Sequence, residues 1–365
     1  MDGRMTPREQ TVLLAAASLY AVVAVVTGIR GGGDLEIHFP EAALWLARQP
    51  LYAAAPRVGA WWPPFAVLGV VPFALLAHAS VALAKAAWAV MSVACLTWVV
   101  ARAPRHGWRS VVLAVAAVAV PLHRNFEDLN LNALLLAALV AAAIALTDGR
   151  ETRAGVWIGV ATALKVFPGL LLVYLAYRRR WRALGVGAGV AAGLTVLAVA
   201  PYGLSGGLSA LRDWLAQSAP SSASFHGSNQ SVAALVYRLH GGSLAVALVD
   251  LACIALGLVA LRRALETGGV FAEVGTVTLL AVLLSPVAWV HYFGLAFPAW
   301  LTALERRSWR WVLLAAGLGT SGVLTVWSLS LRGALFDLSL YTWGALLLLA
   351  ALAFAPARGA EPAVT

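Results

Sequence analysis

The chain has 365 residues, 61% of them hydrophobic and only 12% charged, where a water-soluble domain carries roughly 25% charged residues. With a mean hydropathy of +0.84 it is excluded from the soluble enzymes, the disordered chains and the collagen-like repeats. Cys95 and Cys253 are the only cysteines and both lie in apolar runs, which excludes a disulfide scaffold and leaves buried free thiols. The net charge of +10 does not point to nucleic acid: apart from Lys85 and Lys165 the basic residues are all Arg, scattered over many short loops. Such scatter suits a polytopic protein facing anionic headgroups.

A short basic lead with Arg4 and Arg8 precedes the apolar run 11–28, long enough to cross about 30 Å of hydrocarbon. It reads as an uncleaved first span, because hydrophobic segments continue to the C-terminus. Further spans are predicted at 62–78, 81–100, 109–122, 131–147, 154–177, 183–203, 243–261, 271–287, 289–304, 310–329 and 339–355. The expected fold is all-α, a polytopic integral membrane protein of about twelve transmembrane helices, since lipid leaves no other way to satisfy an open backbone. The chain reads as one membrane domain, 1–365, with short cytoplasmic tails at 1–10 and 356–365. Parity places both termini on one side with Arg178–Arg179–Arg180, Arg182, Arg262–Arg263, Arg306–Arg307 and Arg310, and positive charge makes that side the cytoplasm. Arg102, Arg105 and Arg109 then fall outside, against the rule.

Two loops are long, 29–61 and 204–230, and parity places both outside the cytoplasm. Long loops held by a rigid scaffold are where function concentrates. In the first, Pro40 and Glu41 open a helix with Ala43, Trp45 and Leu46 as its apolar stripe. In the second, Leu204, Leu208, Leu211 and Leu215 recur at helical spacing beside Arg212 and Asp213. Both read as amphipathic helices lying on the membrane surface, either roofing an external chamber or merely anchoring their loops.

Asp34 stands just past the first span and fits two roles: a general base for an incoming hydroxyl, or an N-cap after the Gly31–Gly33 hinge. Glu36 and Glu41 can do the same work, although the helix dipole already accounts for Glu41. His291 lies in the polar break Ser285–Pro286 to Tyr292, and Lys165 lies mid-span before Pro168. Ionisable residues at such depth are costly and mark functional candidates, a lone ammonium wanting a phosphate or carboxylate partner. The competing readings are a hydrogen-bonded His steadying the break and a snorkelling Lys; Lys85, near a span end, reads as snorkelling alone. Asn125–Asn132 and His226–Ser231 are amide-rich, suited to sugar hydroxyls and equally to capping. No metal-ligand spacing, phosphate loop or cofactor motif emerges.

Taken in order, Asp34, Leu51–Tyr52, Trp62–Pro63–Pro64–Phe65, Leu129–Asn130–Leu131–Asn132, Ala154–Gly155 through Lys165–Val166–Phe167–Pro168, Asn229–Gln230–Ser231 and Ser285–Pro286 through Trp289–Val290–His291–Tyr292 resemble glycosyltransferase family 87 over about residues 11 to 305. The resemblance implies a GT-C-type helical bundle and a polyprenyl-phosphate-sugar-dependent transferase without a cofactor. It implies a hexose, mannose above all, passing from that donor to a lipid-linked glycan acceptor at the extracytoplasmic face of the cell membrane, with arabinofuranose as the alternative sugar. Asp34 and His291 are then the catalytic candidates, Asp34 taking the acceptor proton while one displacement inverts the anomeric centre. Lys165, with His291, meets the donor phosphate, and Asn132, Asn229, Gln230, Glu36 and Tyr292 are substrate-binding candidates. The sequence departs from the family where the usual Gly-Gln-x-Asn is Leu129–Asn130–Leu131–Asn132, where His38 replaces a common Tyr, and at Gln49–Pro50 before Leu51. Two other classes share the composition, a transporter or lipid flippase and a non-catalytic scaffold. No internal repeat favours the first, and the second gives Asp34, Lys165 and His291 no common purpose.

Overall fold

The structure, a computed structural model, describes residues 5–52, 62–103, 107–218, 225, 227–267, 269–305 and 309–354. Of the sequence expectations, loop residues 53–61, Arg105, His226, Arg306, Arg307 and the tail 356–365 lie outside the described residues. The described residues form nineteen α-helices and no β-strand. This is a helical membrane protein: Pro7–Ile37, Val81–Arg102, Trp181–Ser218 and Ser243–Glu266 are each long and apolar enough to cross a bilayer, and Leu329–Asp337 with Leu340–Phe354, bent by 54°, reach that length and hydropathy only as a pair.

At the N-terminus α1 (Pro7–Arg30) starts on a Thr6–Glu9 capping box and ends against the last turn of the helix Ala119–Asp128. Glycines make that contact possible: a Cβ at Gly31 would lie 2.3 Å from the Glu127 carbonyl, and one at Gly32 would meet Lys85. Two short helices, α2 (Gly33–Ile37) and α3 (Phe39–Leu46), then lie across this end, which is the site end of the bundle.

Helix α4 (Pro64–Ala79) occupies the second predicted span, yet both its ends belong to the site end. Trp62, just before it, stacks on His38 with ring centroids 4.2 Å apart. Lys85, just after it on α5 (Val81–Arg102), donates to the Gly31 carbonyl at 2.7 Å and meets Glu36 at 2.5 Å. Lys85 is therefore buried and bonded rather than snorkelling. Helix α5 runs antiparallel to α1, and the predicted span 109–122 returns as two helices, α6 (Trp108–Ala116) and α7 (Ala119–Asp128). At their joint the freed Ala117 carbonyl accepts from Thr320 Oγ1 at 2.7 Å.

Helix α8 (Asn132–Thr147) leads away from the site end and α9 (Glu151–Leu164) leads back. The segment 154–177, expected to be one span, is a hairpin. Pro168 has no N–H for the Leu164 carbonyl, Lys165 turns extended at φ −150° and ψ 138°, and α10 (Leu170–Tyr177) retraces the path. Glu151 at its start and Arg180 beyond its end pair at 2.9 Å, so both lie at the far end of the bundle. Hydropathy cannot separate a hairpin from a span, because the composition of both is the same.

Helix α11 (Trp181–Val199) packs backbone to backbone on α9, where a Cβ at Gly155 or Gly159 would fall 2.5 Å from the Ala183 or Gly187 carbonyl. Helix α12 (Gly203–Ser218) is the amphipathic helix expected in the second long loop, with Leu204 83% exposed. Trp45 Nε1 donates to the Ala198 carbonyl at 2.7 Å and Gln217 to the Tyr52 carbonyl at 2.8 Å, so the two long loops share one end. The chain continues through α13 (Val232–Arg238), α14 (Ser243–Thr267), α15 (Gly269–Leu284), a 3-10 stretch at Val290–Ala296 and α16 (Phe297–Glu305). It closes with α17 (Arg310–Ser321), α18 (Leu329–Asp337) and α19 (Leu340–Phe354). At the far end, buried Glu273 takes Tyr174 at 2.8 Å and Arg178 at 3.0 Å, which satisfies a carboxylate that burial alone would make costly.

Candidate active site

Four backbone breaks converge at the site end: the α1–α2 turn, the α7–α8 turn, the Lys165 break and the 285–291 segment. The α7–α8 turn is the least expected. Leu129, wholly buried, takes φ 48° and ψ 48°, left-handed backbone that favours glycine and costs another residue about 1–2 kcal/mol. That turn aims Asn130 and Asn132 inward together.

Asn130 is the hinge of the site. Its Nδ2 donates to Asp34 Oδ2, and its Oδ1 accepts from Lys165 Nζ at 2.9 Å. Asn132 Oδ1 takes Lys165 as well, at 3.2 Å, and the ammonium lies 3.8 Å above the centroid of the Tyr292 ring. Lys165 is only 5% exposed and meets no carboxylate directly among the described residues. A buried cation held by neutral oxygens and a ring face is stabilised without being neutralised, and it retains its affinity for an anion. Asp34 is not an N-cap: Gly32, at φ 93°, occupies that position of α2 and leaves the carboxylate free to meet Asn130.

His291 Nδ1 meets Asp128 Oδ2 at 3.0 Å, which fixes the ring, while its Nε2 has no partner among the described residues. Asp128 carried no weight in the sequence. Its only signal was the amide-rich stretch around it, and nothing local connects it to a histidine 163 residues away.

Two clefts flank the Asp34–Asn130–Lys165 line, one reached by Asp34 and the other by Lys165. The polar one, about 540 Å³, is lined by Asp34, Arg124, Asp128, His291, Arg332 and Phe336. The other, about 390 Å³ and mostly apolar, is lined by Lys165, Phe167, Trp214, Ser285, Pro286 and Tyr292. Through Val166 and Trp214 it joins a third hollow of about 340 Å³ running past Thr162, Val196 and Leu211 to the bundle surface. Lys165 and His291 thus stand in adjacent clefts on either side of Tyr292 rather than in one pocket.

The remaining sequence candidates hold the walls. Asn229 Oδ1 accepts from the Ser231 and Ala288 amides, each at 3.0 Å, and Gln230 Nε2 donates to the Phe336 carbonyl at 3.0 Å. Both are wholly buried, stapling the 227–231 segment to the 285–291 break and to α18, and Ser228 beside them reaches the polar cleft. Glu36 is engaged by Lys85, and Glu41 is buried against His38 Nδ1. Tyr52 donates to the Trp62 carbonyl at 2.9 Å; burial, with the Glu41 carboxylate nearby, pushes its phenol well above the usual range and keeps it a neutral donor.

The sequence model of glycosyltransferase family 87 matches residues 61–286. A polyprenol-phosphate-mannose-dependent alpha-(1-2)-phosphatidylinositol mannoside mannosyltransferase of Mycolicibacterium smegmatis is 28% identical, covering 81% of this chain and 75% of the relative. The corresponding phosphatidylinositol pentamannoside mannosyltransferase of Mycobacterium tuberculosis is 28% identical, covering 69% of this chain and 62% of the relative, so the chain spans under two thirds of that protein.

Proposed function

The chain belongs to glycosyltransferase family 87, and on that premise we propose that it moves mannose from a polyprenyl-phosphate donor to a lipid-linked, mannose-bearing glycan. The sugar and the donor rest on what the named relatives use. The observation that carries the mechanism is Asn130, one amide bonded both to a carboxylate and to a buried ammonium.

The apolar cleft with its surface groove suits the prenyl chain, and Lys165 at its inner end suits the donor phosphate. The polar cleft takes the acceptor. Asp34 accepts the proton as the hydroxyl oxygen attacks the anomeric carbon; the carbon–oxygen bond to phosphate breaks on the opposite face and its electron pair leaves with the phosphate toward Lys165. His291, oriented by Asp128, offers Nε2 to the sugar between them. Asn132 and Tyr292 position Lys165, Lys85 holds Glu36 and the α1–α2 turn, and Asn229 and Gln230 position the walls.

We read 1–365 as one membrane domain of the cell membrane, with its site facing away from the cytoplasm. With both ends of α4 at the site end, and 154–177 leaving and rejoining the far end as a hairpin, the direction of the crossings from α5 to α8 is the reverse of that expected from parity. Arg102 and Arg109 then join Arg150, Arg153, Arg178–Arg180, Arg262 and Arg310 opposite the site, and the conflict with the positive-inside rule disappears.

Reconstitution with labelled polyprenyl-phosphate-mannose and polyprenyl-phosphate-arabinose, each offered with mannosylated lipid acceptors, tests the reading. Transfer of mannose alone is expected. Transfer of arabinose alone would overturn the sugar, and transfer of neither would overturn the reaction.

A further inference from the structure

We propose that Arg332, with Arg124 beside it, binds the phosphodiester of an anionic glycolipid acceptor, so that one wall of the polar cleft holds the acceptor's charge while Asp34 on the other takes its proton. The proposal rests on the reading of Asp34 as the base and on the phosphatidylinositol mannosides that the relatives' names give as acceptors; what it adds is the side chain that meets the acceptor's charge.

Helix α18 carries the case. Leu329, Arg332, Gly333 and Phe336 fall at i, i+3, i+4 and i+7 and line the cleft together. Bulky apolar side chains stand uncovered at both ends of this helix, Trp327 75% exposed before it and Leu338 65% exposed after it. The helix is also fixed in place: Gln230 holds the Phe336 carbonyl, and Arg238 Nη2 donates to Ser339 Oγ at 2.7 Å. A rigid helix with a guanidinium toward a polar cleft and bulky apolar side chains toward the lipid is built to meet a charge that is attached to acyl chains.

The charge inventory of the cleft points the same way. Asp128 is engaged by His291, and Arg124 by Glu127. Asp34 holds only the Asn130 amide, and Arg332 forms no ion pair with any carboxylate among the described residues. One unmatched carboxylate and one unmatched guanidinium face a cleft of about 540 Å³. A ligand that presents a hydroxyl to the first and an anion to the second complements both. The donor phosphate does not fit this role, because in an inverting displacement it leaves from the face opposite the attacking hydroxyl, where Lys165 stands.

The test compares two acceptors on the full chain in nanodiscs, a mannosylated phosphatidylinositol and uncharged octyl mannoside, with saturating polyprenyl-phosphate-mannose. Arg332→Gln is expected to lower the ratio of kcat/KM for the charged acceptor over the neutral one by about tenfold, through KM, with Arg332→Lys recovering part of the loss. An unchanged ratio, or a rise in donor KM instead, would overturn the assignment. A second arm needs no turnover: native mass spectrometry of phosphatidylinositol against phosphatidylcholine is expected to show a preference that Arg332→Gln abolishes. Competition by inorganic phosphate at equal concentration would overturn the lipid as the source of the anion. Arg332-dependent lipid binding without transfer to either acceptor would sustain the site and refute the transferase mechanism; transfer with no Arg332 effect in either arm would refute the site alone.

Discussion

Asp34→Asn separates chemistry from structure, because the geometry removes the usual ambiguity of an acidic residue at a helix start. Gly32 occupies the N-cap of α2, so no cap is lost. The side chain's bonded partner is the Asn130 amide, and an asparagine can rotate to present its carbonyl there. The folded state exchanges a charge-assisted hydrogen bond for a neutral one, about 1 kcal/mol. Loss of a general base costs about 10²- to 10⁴-fold in rate, equivalent to about 2.7–5.4 kcal/mol of barrier. Turnover should therefore fall by far more than stability. The assay is initial-rate transfer from labelled polyprenyl-phosphate-mannose in proteoliposomes, paired with a thermal melt of the same preparation. Turnover within about tenfold of the parent, at an unchanged melting temperature, would refute Asp34 as the base. Glu36 and Glu41 are poor substitutes, being engaged by Lys85 and His38 and lining neither cleft.

Lys165→Met, of similar length and uncharged, is expected to raise donor KM about tenfold or more while acceptor KM moves little; equal effects on both would make Lys165 purely structural. Gly159→Leu forces a side chain against the Gly187 carbonyl and Val190, and a loss of about 1–3 kcal/mol should appear as a lower melting temperature in detergent. Single cysteines at Ser209 and at Asp148, in a Cys95→Ala, Cys253→Ala background, are expected to react with an impermeant thiol reagent on whole cells only at position 209. Labelling at 148 would restore 154–177 as a full span.

Asp34 was legible from its place just past the first span, and Lys165 and His291 because each is an ionisable group within the membrane domain, and those signals survive without any knowledge of the fold. Their grouping was not. Asp34 reaches Lys165 through Asn130, and Asn130 points inward only because Leu129 adopts backbone that its side chain disfavours. The family's glycine pattern marks that turn; the leucine here conceals it. Topology failed in two places for one reason, that hydropathy reports burial in lipid and not direction. The largely apolar α4 and the α9–α10 hairpin look like spans until Trp62 on His38, and Glu151 on Arg180, show where their ends lie. Lys85 was dismissed because a lysine near a span end can snorkel, yet here the site's own loop covers it. Asn229 and Gln230 look like sugar ligands because an amide that binds a hydroxyl and one that staples a main chain have the same side chain; only their complete burial distinguishes the roles.

The position of Asn130 makes the carboxylate and the ammonium one electrical unit, and this has a measurable consequence. Replacing Asn130 with Ala removes the donor to Asp34 and an acceptor from Lys165 in one step, so each charged group loses part of its support. If the two clefts worked independently, the costs of Asn130→Ala and Lys165→Met in kcat/KM would add. Because Asn130 contacts Lys165 directly, the double variant is expected to lose less than the summed single losses, with a coupling of about 0.5–3 kcal/mol. Asn130→Gln, one methylene longer and carrying the same donors and acceptors, should recover part of the rate that Asn130→Ala loses. Strict additivity, with no recovery by the longer amide, would mean that the line from Asp34 to Lys165 only fills space, and that base and phosphate site act without reference to each other.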